Sequence, residues 1–185
     1  MMILKSKLPA EKRLELVHVS LMREKTFAFF AGLFMVGRTT IVDAPITAAT
    51  NGRDAMYGRE FVDGLTDKEL AFLVLHENMH KCYRHLTTWR HLYEKNGSLA
   101  NVSCDHVINI QLRDMDPYEK FVVMPKYKDG PMMGKNMGCL DERFRGMDTK
   151  QVFNILREEQ EGEEGDEGEG GNGGGQTQGG NGHSS

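Results

Sequence analysis

Residues 71–85 read AFLVLHENMHKCYRH, which places His76, Glu77 and His80 in the order H-E-x-x-H with His85 five residues beyond. On a helix, residues four apart differ by about 40° in direction, so His76 and His80 project from one face a turn apart. That separation lets two imidazoles meet one metal ion. Glu77 lies about 100° round from His76 and can reach a water held by that ion without ligating it. Two ligands and a general base on one rigid element suit a zinc-dependent hydrolase of peptide bonds. The competing reading is a helix merely rich in histidine. Position argues against it, because the cluster follows an apolar run in which unpaired polar groups are costly to bury.

A catalytic zinc keeps three protein ligands and one open position. His85 stands nine residues after His76, about 900° along a helix, and faces away from the ion if the helix is unbroken. No glycine or proline separates His80 from His85. His85 is therefore the lesser candidate for third ligand and is expected to pack or to support the site from outside. Residues 99–113, LANVSCDHVINIQLR, offer a better one. Asn101, Asp105 and Asn109 recur at four-residue intervals, a polar stripe on an otherwise apolar helix. Asp105 would bind the metal, and Asn101 or Asn109 would orient it or donate to a neighbouring ligand. The plain alternative is an exposed polar face, and His106 is a weaker ligand candidate. Two imidazoles and a carboxylate also suit manganese or iron, so one zinc ion is expected with another divalent metal as the alternative.

These residues need a frame. Residues 9–31 read as a helix with Leu14, Val17, Leu21 and Phe27 to Phe30 on its apolar side. Residues 39–50 are β-branched, and Asn51-Gly52 followed by a strand near Asp54–Tyr57 predicts a hairpin with an accessible edge. Thr66 and Glu69 have the spacing of a capping box at the start of the histidine helix. Asn96-Gly97-Ser98 stops that helix and caps the next, and Asp148 caps a last helix over Thr149–Arg157. Residues 116–147 are loop-rich. The fold class is α+β, mainly helical with a small β-hairpin or sheet.

The charge balance divides the chain. The net charge is −4, but the last 28 residues hold eight of the 27 acidic residues, 11 of the 21 glycines and no Lys or Arg. The remainder carries 23 basic against 19 acidic residues. Residues 1–157 are therefore expected to form one domain and 158–185 a disordered acidic, Gly-rich tail or linker. No apolar run approaches the roughly 20 residues that span a bilayer, and the N-terminus turns charged too soon for a secretory signal peptide. The expected location is cytoplasmic, without a membrane partner. Cys82, Cys104 and Cys139 show no paired spacing and are expected to be reduced thiols.

The segments TNGRDAMYGREFVDGLTDKELAFLVLHENMHKCYRH, NVSCDHVIN and GCLDERFRGMDTKQVFNIL, within about residues 10–157, resemble the metallopeptidase-like domain found beside von Willebrand factor A-like domains in bacteria and phages. The resemblance implies a zincin-like fold with the H-E-x-x-H segment on a central buried helix. It implies His76 and His80 as ligands, Glu77 as base and Asp105 as third ligand. Family members commonly continue through an acidic, Gly-rich linker into the von Willebrand-like domain, and this chain ends inside what looks like that linker. Members also accompany MoxR-type AAA+ ATPases.

The expected function is a zinc metallopeptidase acting on a protein or peptide in a bacterial or phage-infected cell. The groups open for oxyanion stabilisation are Tyr83, His91, His106, Tyr118 and Tyr127. One alternative is a non-catalytic zincin-fold adaptor for an AAA+ ATPase or another protein. A second is a metal-dependent ribonuclease. The endoribonuclease pattern H-x-x-x-H-x-x-x-x-x-H is one residue longer than the spacing here, and Glu77 occupies the protease position, so nucleic acid is not the expected partner.

Overall fold

A computed structural model describes residues 8–166. Of the tail expected to be disordered over 158–185, residues 158–166 instead continue the last helix, and residues 167–185 lie outside the described residues. Helix α1 (Ala10–Arg23) buries Leu14, Val17 and Leu21. It also buries Arg13, whose guanidinium donates to the carbonyls of Val62 and Leu65 at 2.7 Å and to the Asp67 carboxylate at 2.9 Å. One side chain thus ties α1 to the turn that begins the histidine helix. The single helix expected over 9–31 is broken. The backbone of Glu24 is extended, and after a 3-10 turn the chain forms the short α2 (Ala31–Phe34). The break brings Phe27, Phe30 and Phe34 into the same core as Leu14, Val17 and Leu21, whereas on a continuous helix the phenylalanine face would point about 140° away from the leucine face.

The expected strand over 39–50 is two strands, β1 (Thr39–Val42) and β2 (Ala48–Thr50), parted near Pro45, and β3 (Ala55–Gly58) lies between them in the sheet. β2 and β3 form the predicted antiparallel hairpin. Asn51 Oδ1 accepts from the N–H of Arg53 and Asp54, and Gly52 takes φ +89°, a region that glycine enters freely. β1 pairs parallel to β3, a long-range partnership that local pattern does not reveal. At Gly58 a side chain is excluded by contact, since a Cβ there would fall 1.9 Å from the Ile46 carbonyl oxygen.

Helix α3 (Arg59–Gly64) leads into α4 (Asp67–Cys82), which opens with the expected capping box. Glu69 Oε2 accepts from the Thr66 N–H at 2.7 Å and Thr66 Oγ1 from the Glu69 N–H at 3.3 Å. Leu70, Val74, Leu75 and Met79 are fully buried along α4. The helix ends earlier than expected: Arg84 takes φ +51°, and two four-residue turns follow, α5 (His85–Thr88) and α6 (Arg90–Tyr93). Asn96 then caps α7 (Gly97–Met115), its Oδ1 accepting from the Leu99 N–H. α7 packs against α4 on one side and against α8 (Thr149–Asp166) on another. Asp148 and Gln151 cap α8 reciprocally. α8 continues nine residues past the expected end at Arg157, steadied by Arg143, which grips Glu159 with both terminal nitrogens. Among the described residues no helix is long and apolar enough to cross a membrane.

The segment between α7 and α8 is irregular but anchored. Asp116 accepts from the N–H of Lys120, Phe121 and Val122 at 3.0, 2.6 and 2.9 Å. Residues 125–137 double back on themselves, with Tyr127 N–H on Lys135 O and Met137 N–H on Pro125 O. Burial alone would raise the Asp116 carboxyl, but the three N–H donors outweigh it and hold the pKa below the usual carboxylate range. A group depressed in the folded state stabilises fully above its unfolded pKa of about 3.9 and loses that contribution as pH falls through the folded value. Asp116→Asn is therefore expected to cost about 1.5–3 kcal/mol at pH 7. Urea titrations at pH 7 and pH 3 should show the gap between parent and variant narrowing at the acid end.

Candidate metal centre

α4 and α7 lie side by side, and their facing turns bring three side chains together. His80 Nε2 stands 3.1 Å from His76 Nε2 and 3.1 Å from Asp105 Oδ1, and His76 Nε2 is 3.4 Å from the same carboxylate oxygen. Three potential donor atoms therefore converge on one point, two from successive turns of α4 and one from α7. Asn101, one turn before Asp105, donates its amide N–H to the other carboxylate oxygen at 3.2 Å.

The remaining ring nitrogens explain why these atoms suit a cation. Asn109 Nδ2 donates to the Cys139 carbonyl at 2.7 Å, which fixes the amide so that its oxygen faces His76 Nδ1 at 2.8 Å. An amide oxygen only accepts, so His76 carries its proton on Nδ1 and, when neutral, presents a bare Nε2 lone pair to the cluster. On the far side of His80, its Nδ1 meets His85 Nδ1 at 3.0 Å. Burial, with His80 alongside, brings the pKa of His85 down to about 3, so at neutral pH its ring is uncharged and able to accept from His80 Nδ1. That assignment leaves His80 Nε2 bare as well. Two lone pairs and a carboxylate at one point repel one another, and a divalent metal ion matches that donor set.

Burial opposes charge on both His76 and Asp105, yet their mutual contact holds His76 above its ordinary pKa and Asp105 well below the carboxylate range. Glu77 is 6% exposed, and burial raises its carboxyl despite the nearby imidazoles. Glu77 and the three converging residues line an open cleft of about 500 Å³. Thr47 and β2 also line it, as do Tyr93, Met124, Tyr127 and Gly138.

The residues expected to meet from spacing alone, His76, His80 and Asp105, do meet. Asn101 donates to the Asp105 carboxylate as expected, and Asn109 reaches the neighbouring His76 ring, though as acceptor and not as the expected donor. His85 is not where an unbroken helix would carry it. The left-handed residue Arg84 turns the chain back, so His85 reaches the rear of His80 instead of pointing away. His106 faces Phe144, edge to face, away from the cluster. Of the five hydroxyl and imidazole groups considered for an oxyanion, only Tyr127 borders the cleft. Tyr93 borders it too, and no sequence feature marked it.

Neither curated proteins nor solved structures give a match to this chain. A family model does: residues 11–184 match the family described as a putative metallopeptidase domain, and the chain belongs to that family.

Proposed function

We propose that the protein is a zinc-dependent peptidase of the zincin type, with His76, His80 and Asp105 as metal ligands and Glu77 as general base. The observation that carries this reading is the convergence of His76 Nε2, His80 Nε2 and Asp105 Oδ1 within 3.1–3.4 Å of one another, beside Glu77 and open to a cleft. A divalent ion held there would supply a Lewis acid for a carbonyl oxygen and acidify a water toward a pKa of about 7. The chain supplies the rest. The Glu77 carboxylate accepts the proton of the attacking water and returns it to the departing amine, a role that its raised proton affinity favours. Asn109 and His85 hold the two imidazoles in one tautomer each, and Asn101 fixes Asp105. Tyr127 is the hydroxyl we assign to the carbonyl oxygen as charge develops.

The sheet edge suits an extended substrate. The bonds Gly58 N–H to Thr47 O and Asn51 N–H to Asp54 O mark the bonded pairs of the hairpin. By alternation, Ala48 and Thr50 turn their backbone N–H and C=O away from β3, toward the cleft side. A peptide can add there as a further strand.

Incubation of zinc-loaded protein with an unfolded protein substrate and with labelled RNA tests the proposal. Peptide cleavage that a chelator abolishes and added zinc restores, with the RNA intact, is the expected result. Zinc binding without cleavage of any member of a peptide library would overturn it and favour the adaptor.

A further inference from the structure

Next to the metal cleft lies a second cavity of about 470 Å³. Thr47, Phe61, Tyr127 and Met137 border both, so the two cavities adjoin. The second cavity has a mainly apolar lining that includes Ile46, Phe61, Leu65 and Met137, and the charged Glu60, Lys126, Lys128 and Asp129 also border it. Its position along the sheet edge is defined by the chain: the metal cleft borders residues 47–50 and the second cavity residues 44–47.

From this juxtaposition we infer that the second cavity is a specificity subsite, which takes a large apolar side chain of the peptide about two to four residues from the bond that is cut. The inference rests on the peptidase reading and names the substrate class: extended chains carrying a Leu, Phe or Met at that remove. A chain paired with β2 advances about 3.3 Å per residue. Passing the metal ligands opposite Ala48 to Thr50, it arrives beside Ile46 within a few residues. Alternate side chains of such a strand point the same way, so one of them meets the apolar lining. Gly64 provides a handle on this subsite. It borders the cavity at the end of α3, and a Cβ added there would meet nothing within 4 Å. The first carbon of a larger side chain at 64 therefore meets no obstruction.

The test uses zinc-loaded Glu77→Gln protein and fluorescent Ala/Ser peptides in which one Leu, Phe or Asp is moved through successive positions. Cleavage mapping with the parent enzyme locates the scissile bond. The expected result is one position at which Leu or Phe tightens binding roughly 10- to 100-fold over Ala, while Asp does not. Gly64→Phe should bring that contrast down toward parity while retaining zinc. Met137→Glu, on a half-exposed residue, is a second variant should Gly64→Phe fail to fold. A flat scan, or a contrast that survives the blocking substitution, would overturn the subsite. Cleavage by the parent together with a flat scan defeats the subsite and leaves the peptidase. A clear contrast without cleavage defeats the peptidase and leaves the binding groove.

Discussion

The Glu77→Gln protein is expected to hold zinc within about tenfold of the parent and to lose about 10²–10⁴-fold in peptide turnover. The two side chains have nearly the same shape, and Glu77 lies outside the group of three converging atoms. The amide fills the same buried space but cannot accept a proton from water. The modest allowance on metal affinity reflects the negative charge removed from beside His76 and His80. Turnover and zinc affinity must be measured on the same preparation, because loss of both would indicate a disrupted site and not a missing base. Turnover equal to that of the parent would remove Glu77 from the mechanism.

The metal itself should respond in two steps. Asp105→Ala removes a proposed direct ligand and should weaken zinc by more than about 100-fold. His85→Phe removes the acceptor behind His80 and should weaken it by about 10–100-fold, the range expected of an outer partner. Competition against a chromophoric chelator reads both. Parent-like binding by Asp105→Ala, with abolition in His85→Phe, would exchange their roles and make His85 the third ligand.

Much of the site was legible because it is local. His76 and His80 share a helix, and Asn101, Asp105 and Asn109 share another, so helical spacing fixed what each helix presents. Thr66 with Glu69, Asn96, and Asp148 with Gln151 are caps whose chemistry acts over three residues. What escaped depends on distant partners. Arg84 adopts a left-handed backbone that carries no sequence mark on a non-glycine residue, and tertiary packing must hold it there. The fold-back at Phe27 reflects the demand of a core assembled from other elements. The parallel pairing of β1 with β3 and the doubled-back loop over 125–137 are equally non-local.

The Asn109 amide has one further consequence. Its two ends are committed to different structures, a ring on α4 and the Cys139 carbonyl in the irregular stretch before α8. Gly138 packs so near that a Cβ there would lie 3.3 Å from the same amide nitrogen. Opening of that stretch cannot leave the His76 ring untouched. Loop and imidazole are expected to act as one cooperative unit, so amide hydrogen exchange around residues 137–139 should rise and fall together with the rate at which an ion loaded at His76 is released.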